Sequence, residues 1–208
     1  MGSDLTVVNS ARVSFNKESA LDENDMLTLG DSRLIAYLAK HQHITPFTHP
    51  QITLRETIPI FVARQRFKHV VGFTYNEVSR RYVDDSPEFY EPDTWRARPE
   101  GSVKQGSAGD HTASGYYKQK VAVFNEKARQ LYQDMLNEGI APEQARMVLP
   151  QSMITSYYVT GSLAAFARAY KQRIDSHAQK EIQDLAVQWD SIISLLYPVS
   201  WKALVSPN

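Results

Sequence analysis

Apolar residues recur at intervals of three and four between Tyr116 and Glu138. This spacing places them along one face of an α-helix, and Gly139 directly afterwards is typical of a helix end. Pro142 then suits the first turn of a short helix that ends before Pro150. The predicted apolar face of the long helix consists of Tyr117, Val121, Phe124, Ala128, Leu131 and Met135.

The same period indicates two further helices. Segment 57–70 is predicted to be helical because Thr57 can cap it and Pro59 suits its first turn. Near the end of the chain, apolar positions keep the helical spacing over residues 182–196, and 176-SHAQ-179 matches a capping box that would start this helix. We therefore expect a protein rich in helix.

Strand patterns are shorter and fewer. Residues 48–57 alternate polar and apolar side chains as a half-buried strand does, and residues 156–160 predict a second strand that leads into a helix near Ser162. Helices dominate over this modest sheet, which indicates an α+β or α/β fold. No long linker divides the chain, and we expect one domain over residues 1–208.

Segment 87–115 is predicted to be a long irregular excursion at the surface. It is rich in proline and glycine and poor in aliphatic residues. Phe89, Tyr90 and Trp95 are expected to order part of it. Such a segment is either a lid over a site or ordinary variable surface, and both interpretations stay open.

The charge balance leaves no strong global field. Basic and acidic residues number 23 each, so the formal net charge at pH 7 is zero and any anion binding must be local. No apolar run is long enough to cross a bilayer, and the first residues lack the features of a signal peptide, so we expect a cytoplasmic location. The chain has no cysteine, which excludes disulfides, thiolate metal sites and cysteine nucleophiles.

Positive charge is concentrated in residues 64–85. Between Arg64 and Arg81 this segment holds five Lys or Arg residues, one His and a single acid, Glu77. One interpretation is a basic helix face followed by a solvated loop. Aromatic and small residues interrupt the charges, however, and the Ser79 hydroxyl, the backbone N–H groups after it and Arg81 can cradle a phosphate. A nucleophilic role for Ser79 is less favoured, since no nearby His and carboxylate complete an activating set in the sequence.

Two more arginines stand at informative positions. Arg146 lies in the apolar turn 145–150, where it either binds an anion or extends its charge into solvent. Arg173 precedes the last predicted long helix, whose first turn would hold His177, and helix N-termini attract anions. A local ion pair between Arg173 and Asp175 is the alternative.

Three histidines, His41, His43 and His49, lie close together in the sequence. No Asp or Glu is near them and their spacing matches no zinc pattern, so we predict no metal site. The basic positions are scattered along a neutral chain. This distribution favours small polyanions over a continuous nucleic-acid surface.

In combination, these segments resemble the flavin-dependent thymidylate synthases. The resemblance covers most of the chain in matching order, and its most specific parts are the motifs NE-x-S-x-RY, AR-x-VLP and R-x-D-x-HAQ-x-EI. The segments that carry it are 11-ARVSF-15, 43-HITPFTH-49, 60-IFVARQRFKH-69, 76-NEVSRRY-82, 88-EFY-90, 145-ARMVLP-150 and 173-RIDSHAQKEI-182.

The chain departs from the family pattern at several positions. The family's Arg-His-Arg tripeptide is Lys68-His69-Val70 here, and eight residues instead of seven precede Ser79. The family often has an acid where Thr48 stands, and Asn and Arg where Ser162 and Ala164 stand.

The resemblance implies a helix-rich α+β fold with a central, mostly antiparallel sheet of the thymidylate synthase complementing protein type. It also implies a homotetramer whose active sites are shared between subunits. The implied reaction converts dUMP to dTMP, with methylenetetrahydrofolate as one-carbon donor and FADH2, regenerated by NADPH, as hydride donor.

The resemblance also assigns residues. Arg173 would be catalytic, polarising the uracil with its permanent positive charge in a chain that lacks a cysteine thiolate. The implied dUMP-binding residues are Gln65, Lys68, Glu77, Ser79, Arg80, Arg81, Arg146 and Arg173. The implied FAD-binding residues are Thr45, Lys68, His69, Val70, Glu77, Ser162, Arg168 and His177. His43 and Tyr82 would line the folate side.

Two other functions stay open. Basic residues interleaved with Phe67, Phe73 and Tyr75 would suit a single-stranded nucleic-acid-binding protein, although the balanced charge counts against it. The altered turn at 68–70 would suit a catalytically inactive oligomeric relative. We expect small-molecule partners and neither nucleic acid nor membrane.

Overall fold

The computed structural model describes residues 2–101 and 106–206. In this part of the chain the helices are α1 (Asp4–Arg12), α2 (Leu29–Lys40), α3 (Ile60–Arg66), α4 (Ser114–Asn137), α5 (Pro142–Ala145), α6 (Leu163–Arg173), α7 (Lys180–Leu196) and α8 (Pro198–Val205). The strands are β1 (Gln51–Pro59), β2 (Phe73–Glu77) and β3 (Ile154–Ser162). Short 3-10 helices lie at Val13–Phe15, Thr45–Thr48 and Arg146–Val148.

These strands form one antiparallel sheet in the order β1-β3-β2. Hydroxyl pairs join β1 to the central strand: Thr53 Oγ1 lies 2.9 Å from Thr160 Oγ1, and Thr57 Oγ1 lies 2.7 Å from Ser156 Oγ. The predicted fold class, a helix-rich α+β protein with a mostly antiparallel sheet, is confirmed.

The chain forms two compact units, and its expected organisation as one domain stays a prediction. The described part of the first unit comprises residues 2–54, 69–74 and 159–206, and that of the second comprises residues 55–68, 75–101 and 106–158. β1, β2 and β3 each supply residues to both units.

Aromatic side chains fill the core of the first unit. Phe166 on α6 meets Trp189 on α7 edge to face, with ring centroids 6.0 Å apart, and both side chains are buried. The buried carboxylate of Asp4 accepts the backbone N–H groups of Val199 and Ser200, each at 2.9 Å. This carboxylate therefore caps α8 and ties the start of the chain to its end.

The predicted helix at 57–70 begins later and ends earlier than expected. β1 continues through Thr57 to Pro59, and α3 spans only Ile60–Arg66. The reason is steric, because a proline disfavours helical geometry in the residue before it, which keeps Ile58 extended. Thr57 therefore lies in a strand and does not cap a helix.

The last long helix also begins later than the capping-box pattern predicts. α7 starts at Lys180 with Gln179 as its N-cap, so Ser176 and His177 lie in the preceding turn. Arg173 is the last residue of α6 and not the residue before α7. The Asp175 carboxylate accepts the His177 backbone N–H at 2.8 Å, which stabilises a turn where a helix start was predicted.

The prediction of α4 is confirmed to within two residues at its start and one at its end, but its apolar face is only partly buried. Ala128 is buried together with Asn125 and Tyr132, whereas Phe124 is 56% exposed and Leu131 50% exposed. The buried face is thus rotated away from the predicted stripe. Gly139 has a φ of +82° just after this helix, as its role as a helix end requires.

The described residues of segment 87–115 lie on both sides of 102–105; they are irregular as far as Ala113, and Ser114 already begins α4. The Tyr90 N–H donates to Ser152 O at 2.8 Å, and the Trp95 N–H donates to Ser114 Oγ at 2.8 Å. Phe89 pairs with Met153 in an isolated bridge. These bonds tie the segment to residues 114, 152 and 153 at the three aromatic residues.

Among the described residues, no helix has both the length and the apolarity needed to span a membrane.

Candidate active site

A cavity in the second unit collects charged residues from three parts of the chain. We call it the arginine cavity; its volume is about 340 Å³. One face of α3 forms a wall, because positions 60, 63, 64 and 67 follow the helical spacing. The lining residues are Ile60, Ala63, Arg64, Phe67, Glu77, Val78, Arg80, Arg146, Leu149, Met153 and Thr155.

The guanidinium groups of the arginine cavity are bound to different extents. Arg80 is mostly engaged, since its Nη1 donates to the Asp85 carboxylate at 2.6 Å and also to the Asp85 backbone carbonyl. Arg146 donates from Nε to Glu143 O at 3.2 Å, and the residue is exposed. Arg64 makes no hydrogen bond or ion pair with any described residue. Arg64 and Arg146 are therefore the cations best able to take an anion.

Glu77 is the one acid of this cavity, and the sheet orients it. Thr155 Oγ1 donates to Glu77 Oε1 at 2.7 Å. Glu77 ends β2 and is exposed, whereas Thr155 lies on β3 and is 7% exposed. The Glu77 Oε1 atom is thus held by Thr155 of the sheet, while the Glu77 side chain stays accessible to solvent.

Ser79 begins the turn that follows β2. Its carbonyl accepts the N–H groups of Tyr82 and Val83 at 3.0 and 3.1 Å, and its Oγ accepts the Arg81 N–H at 3.3 Å. Among the described residues, neither a histidine nor a carboxylate bonds to this hydroxyl. The geometry therefore favours a ligand-binding role for Ser79 over a nucleophilic one.

A buried charged network lies next to the arginine cavity. Arg66 is fully buried and donates to both carboxylate oxygens of Glu56, with Nε 3.1 Å from Oε2 and Nη2 3.3 Å from Oε1. Tyr157 donates to Glu56 Oε2 at 2.5 Å, and Arg66 Nη1 donates to the Tyr75 hydroxyl at 2.7 Å. Phe67 packs edge-on against both tyrosine rings. Helix α3 is therefore fastened to β1, β2 and β3 at this point.

The network also holds both phenols in their neutral form. Burial raises the pKa of Tyr75 to about 12, against the opposing effect of the Arg66 charge. Burial, followed by the Glu56 charge and hydrogen bond, raises the pKa of Tyr157 well above its ordinary value. Neither phenol can therefore act as a base near neutral pH.

A second group of predicted site residues lies in the first unit. Arg173 Nε donates to His69 Nε2 at 2.8 Å, and His69 is 8% exposed. Asp175 pairs with His177 instead of Arg173, its Oδ1 lying 3.0 Å from His177 Nδ1, so the local ion pair considered for Arg173 is not formed. Hydrogen bonds from the His177 backbone and side chain lower the pKa of Asp175.

The turn after His69 packs closely on the start of α6. A Cβ on Gly72 would lie 3.0 Å from Ala165 Cβ, and the φ of +77° at Gly72 already favours glycine. Ser162 Oγ accepts the Ala165 N–H at 3.2 Å and caps α6, while Arg168 donates to Val71 O. These contacts bring His69, Val70, Ser162 and Arg168 into one neighbourhood.

A smaller cavity of about 260 Å³ opens beside these residues in the first unit, and we call it the alanine cavity. Arg168 and Lys171 supply two cations to walls made largely of small apolar side chains. The lining residues are Ala39, Gln42, Ile44, Ala164, Ala167, Arg168, Lys171, Ala203 and Leu204. Such a cavity suits a flat apolar group that carries phosphates.

The remaining predicted residues fall outside both cavities. Lys68 is exposed, Gln65 is half-buried, and neither lines the arginine cavity. Tyr82 accepts a hydrogen bond from Arg81 Nη2 at 2.7 Å in the second unit. His43 meets the Tyr37 ring edge to face in the first unit, at a centroid distance of 6.0 Å. No group of His, Cys, Asp or Glu within the described ranges is arranged to hold a metal ion.

The structure thus brings Glu77, Arg80 and Arg146 together in the second unit, and His69 and Arg173 together in the first. Sequence reasoning missed Arg64 and Thr155. The signal for Arg64 was available, since it shares a helix face with Ile60 and Phe67.

The chain is similar to known proteins over nearly its whole length. Residues 1–199 match the family model described as "Thymidylate synthase complementing protein". The flavin-dependent thymidylate synthase of Thermosipho africanus is 36% identical over 206 residues, covering 99% of this chain and 87% of that protein. The enzyme of the same description from Thermus thermophilus is 33% identical over 205 residues, covering 98% and 72%.

A solved structure is also similar to this chain. It is that of the UMP/dUMP methylase PolB from Streptomyces cacaoi bound with 5-Br dUMP, with a TM-score of 0.83 and 32% identity. The match covers 99% of this chain and 94% of PolB. The same methylase bound with 5-Br UMP also has a TM-score of 0.83.

Proposed function

The chain belongs to the family of flavin-dependent thymidylate synthases, and on that premise we propose that it methylates dUMP to dTMP. The observation that carries the proposal is the arginine cavity, where Glu77, Arg80 and Arg146 meet although up to 69 residues separate them in the sequence. A nucleotide with one phosphate dianion needs cations at one end and neutral or acidic groups at the other. The cavity offers both kinds of group.

In this proposal the phosphate of dUMP is bound by Arg146, by the Ser79 hydroxyl, and by the Arg81 side chain with the backbone N–H groups of the Ser79 turn. Arg80 contributes through its backbone, since its side chain is engaged by Asp85. Gln65 and Lys68 complete the dUMP-binding set. The exposed carboxylate of Glu77 orients the nucleotide by accepting a hydrogen bond from it.

Arg173 is the proposed catalytic residue. Its guanidinium is charged at any relevant pH and can stabilise negative charge on the uracil ring, which makes C5 nucleophilic. The hydrogen bond from its Nε to the mostly buried His69 fixes the plane of the guanidinium. This route needs no thiolate, and the chain has no cysteine.

The donor set of the first unit fits an FAD cofactor. A Cβ on Gly72 would crowd Ala165 of α6, and Arg168 and Lys171 are cations at a mostly apolar cavity. Thr45, His69, Val70, Ser162, Arg168 and His177 would hold the cofactor, and Lys68 and Glu77 are the further FAD-binding residues that the family resemblance implies. The bound flavin supplies hydride chemistry, with NADPH as reductant and methylenetetrahydrofolate as one-carbon donor. His43 and Tyr82 are assigned to the folate side.

UMP is a second candidate substrate, because the similar structure is named a UMP/dUMP methylase and was also solved with 5-Br UMP. The two nucleotides differ only in the 2′-hydroxyl. Competition between them for the arginine cavity is therefore a direct test of substrate choice.

Tritium release from [5-³H]dUMP tests the proposal, because methylation at C5 must expel the hydrogen there. The purified protein is supplied with FAD, NADPH and methylenetetrahydrofolate, and [5-³H]UMP is run in parallel. We expect release that depends on every component, and a yellow preparation with flavin absorption. A colourless protein that FAD cannot reconstitute and that releases no tritium would instead support the inactive oligomeric relative.

We further propose a homotetramer with shared active sites. Sedimentation velocity should then give a mass four times that of the 23.6-kDa chain. A monomer at micromolar concentration would contradict this assembly.

A further inference from the structure

We propose that Thr155 is a positioning residue, which fixes the Glu77 carboxylate so that its second oxygen accepts a hydrogen bond from the sugar of the nucleotide. The inference rests on the proposed function and deepens it, because it names the group that Glu77 recognises. Thr155 itself need not touch the substrate.

The geometry points to this role because donor and acceptor differ in mobility. Thr155 is 7% exposed on the central strand, so its Oγ1 has a position set by the sheet. Glu77 is exposed at the end of β2 and would otherwise sample several rotamers. The 2.7-Å bond from Thr155 Oγ1 to Glu77 Oε1 removes that freedom. Among the described residues, no donor bonds Glu77 Oε2.

The two strands that carry Thr155 and Glu77, β3 and β2, are themselves fixed in position. Side chains two positions apart on a strand share a face, so Tyr157 lies beside Thr155 and Tyr75 beside Glu77. Tyr157 donates to Glu56 at 2.5 Å, and Tyr75 accepts from Arg66 at 2.7 Å. Both strands are therefore held by the buried network one step from the Thr155–Glu77 bond. The Glu77 Oε2 atom is therefore held in position by two fixed strands.

The negative charge of Glu77 determines which group of the nucleotide can bind to its Oε2 atom. A carboxylate repels a phosphate dianion, and three arginines of the same cavity attract it. The sugar hydroxyls are neutral donors close to the phosphate, and the 3′-hydroxyl is present in both dUMP and UMP. A preorganised acceptor for it lowers the entropy cost of binding.

The test removes the Thr155 hydroxyl without changing its shape. Thr155→Val is the test variant, Thr155→Ser restores a hydroxyl, and Thr57→Val is the matched control, because it also removes one cross-strand hydroxyl bond of the sheet. Affinities of the purified full chain with FAD are measured by calorimetry for dUMP and for 2′,3′-dideoxyuridine 5′-monophosphate, which lacks the sugar hydroxyls.

We expect Thr155→Val to weaken dUMP binding by about 5- to 20-fold. Thr155→Ser and Thr57→Val should stay within about twofold of the wild type. Thr155→Val should bind the dideoxy analogue as the wild type does, and its KM for dUMP should change more than its kcat. Water can replace the lost donor at the exposed Glu77, so the thermal midpoint should move by only a few degrees.

An equal loss of affinity for dUMP and for the dideoxy analogue would overturn the inference, since a merely structural role predicts that result. Unchanged dUMP affinity in Thr155→Val would overturn it as well while leaving the proposed function intact. Failure of the wild type to bind either nucleotide would overturn both.

Discussion

The guanidinium of Arg173 is anchored by a residue that is itself mostly buried, His69, through a 2.8-Å hydrogen bond. Arg173→Ala should therefore keep the fold, with a stability loss of about 1 kcal/mol from the lost hydrogen bond to the His69 imidazole. It should lower dUMP-dependent oxidation of the reduced flavin by at least about 100-fold, because the charge that stabilises the ring anion is gone.

Arg173→Lys is the matched variant for that measurement. Lysine keeps the charge but loses the planar fork, so we expect activity between those of the wild type and Arg173→Ala. Stopped-flow absorbance of the flavin gives the rate, and circular dichroism checks the fold. Near-normal turnover in Arg173→Ala would remove Arg173 from the catalytic role.

A second single-residue prediction concerns Ser79, whose Oγ accepts the Arg81 N–H within the proposed phosphate-binding turn. Ser79→Ala should weaken dUMP binding by about 3- to 10-fold and leave kcat within a fewfold of the wild type. Calorimetry and steady-state kinetics measure the two quantities separately. Loss of all turnover with normal dUMP affinity would instead make Ser79 a nucleophile.

At the residue scale, the roles assigned from the sequence stay predictions, and the residues with a local signal are the ones that the fold brings together. Glu77, Arg80 and Arg146 stand in motifs, and the structure brings them into one cavity. Thr155 carries no local signal, because its partner Glu77 lies 78 positions away and becomes a neighbour only through strand order. Long-range pairing of this kind follows from the fold and not from spacing.

At the scale of elements, the start of α2 depends on a buried carboxylate. Asp31 is 1% exposed and accepts hydrogen bonds from Arg12, Ser19 and Thr28, while Thr28 Oγ1 accepts the Asp31 N–H as helix cap. Burial alone raises the pKa of Asp31, but the bonds from Arg12, Thr28 and Ser19 together outweigh it, so that the pKa is lowered.

A carboxyl whose folded-state pKa is lowered contributes stability that is complete above its unfolded value of about 3.9 and is lost as pH falls through the folded pKa. Asp31→Asn should thus flatten the loss of unfolding free energy below about pH 4 and cost about 1–2 kcal/mol at pH 7. Urea denaturation between pH 3 and pH 7 measures both effects.

Asp134→Asn is the control, since this carboxylate is exposed on α4 and accepts a bond from Gln130 on the same helix. It should reproduce the wild-type curve. An unchanged acid slope in Asp31→Asn would show that Asp31 does not set the acid stability.

Helices and strands could be predicted from the sequence where the periodicity of apolar residues was strong. The periodic segments gave α4 and α7 nearly to the residue at their C-terminal ends. β2 was missed because its five residues, 73-FTYNE-77, stand inside the basic stretch and were interpreted as loop. The rotated face of α4 was missed because periodicity cannot say which neighbours a helix meets.

For the whole molecule, the family motifs predicted the fold class, whereas the division into two compact units left no mark in the composition. The boundaries between the units at residues 55, 75 and 159 lie within continuous strands, and the boundary at residue 69 lies in the short connection between α3 and β2. A boundary inside a strand has no linker, and a linker is the signal by which sequence reasoning finds domains.

Charge is the whole-molecule property that separates an enzyme for nucleotides from a nucleic-acid-binding protein. With a formal net charge of zero, the 23 basic side chains are balanced by 23 acidic ones, so we expect few net phosphate contacts along a strand. We expect a labelled oligonucleotide of about 20 residues to bind no more tightly than about 100 µM at 150 mM salt, measured by fluorescence anisotropy. Any residual binding through the arginine cavity should be displaced by dUMP. Micromolar binding that falls more than tenfold between 50 and 200 mM salt, and that dUMP does not displace, would contradict this and favour the single-strand binder.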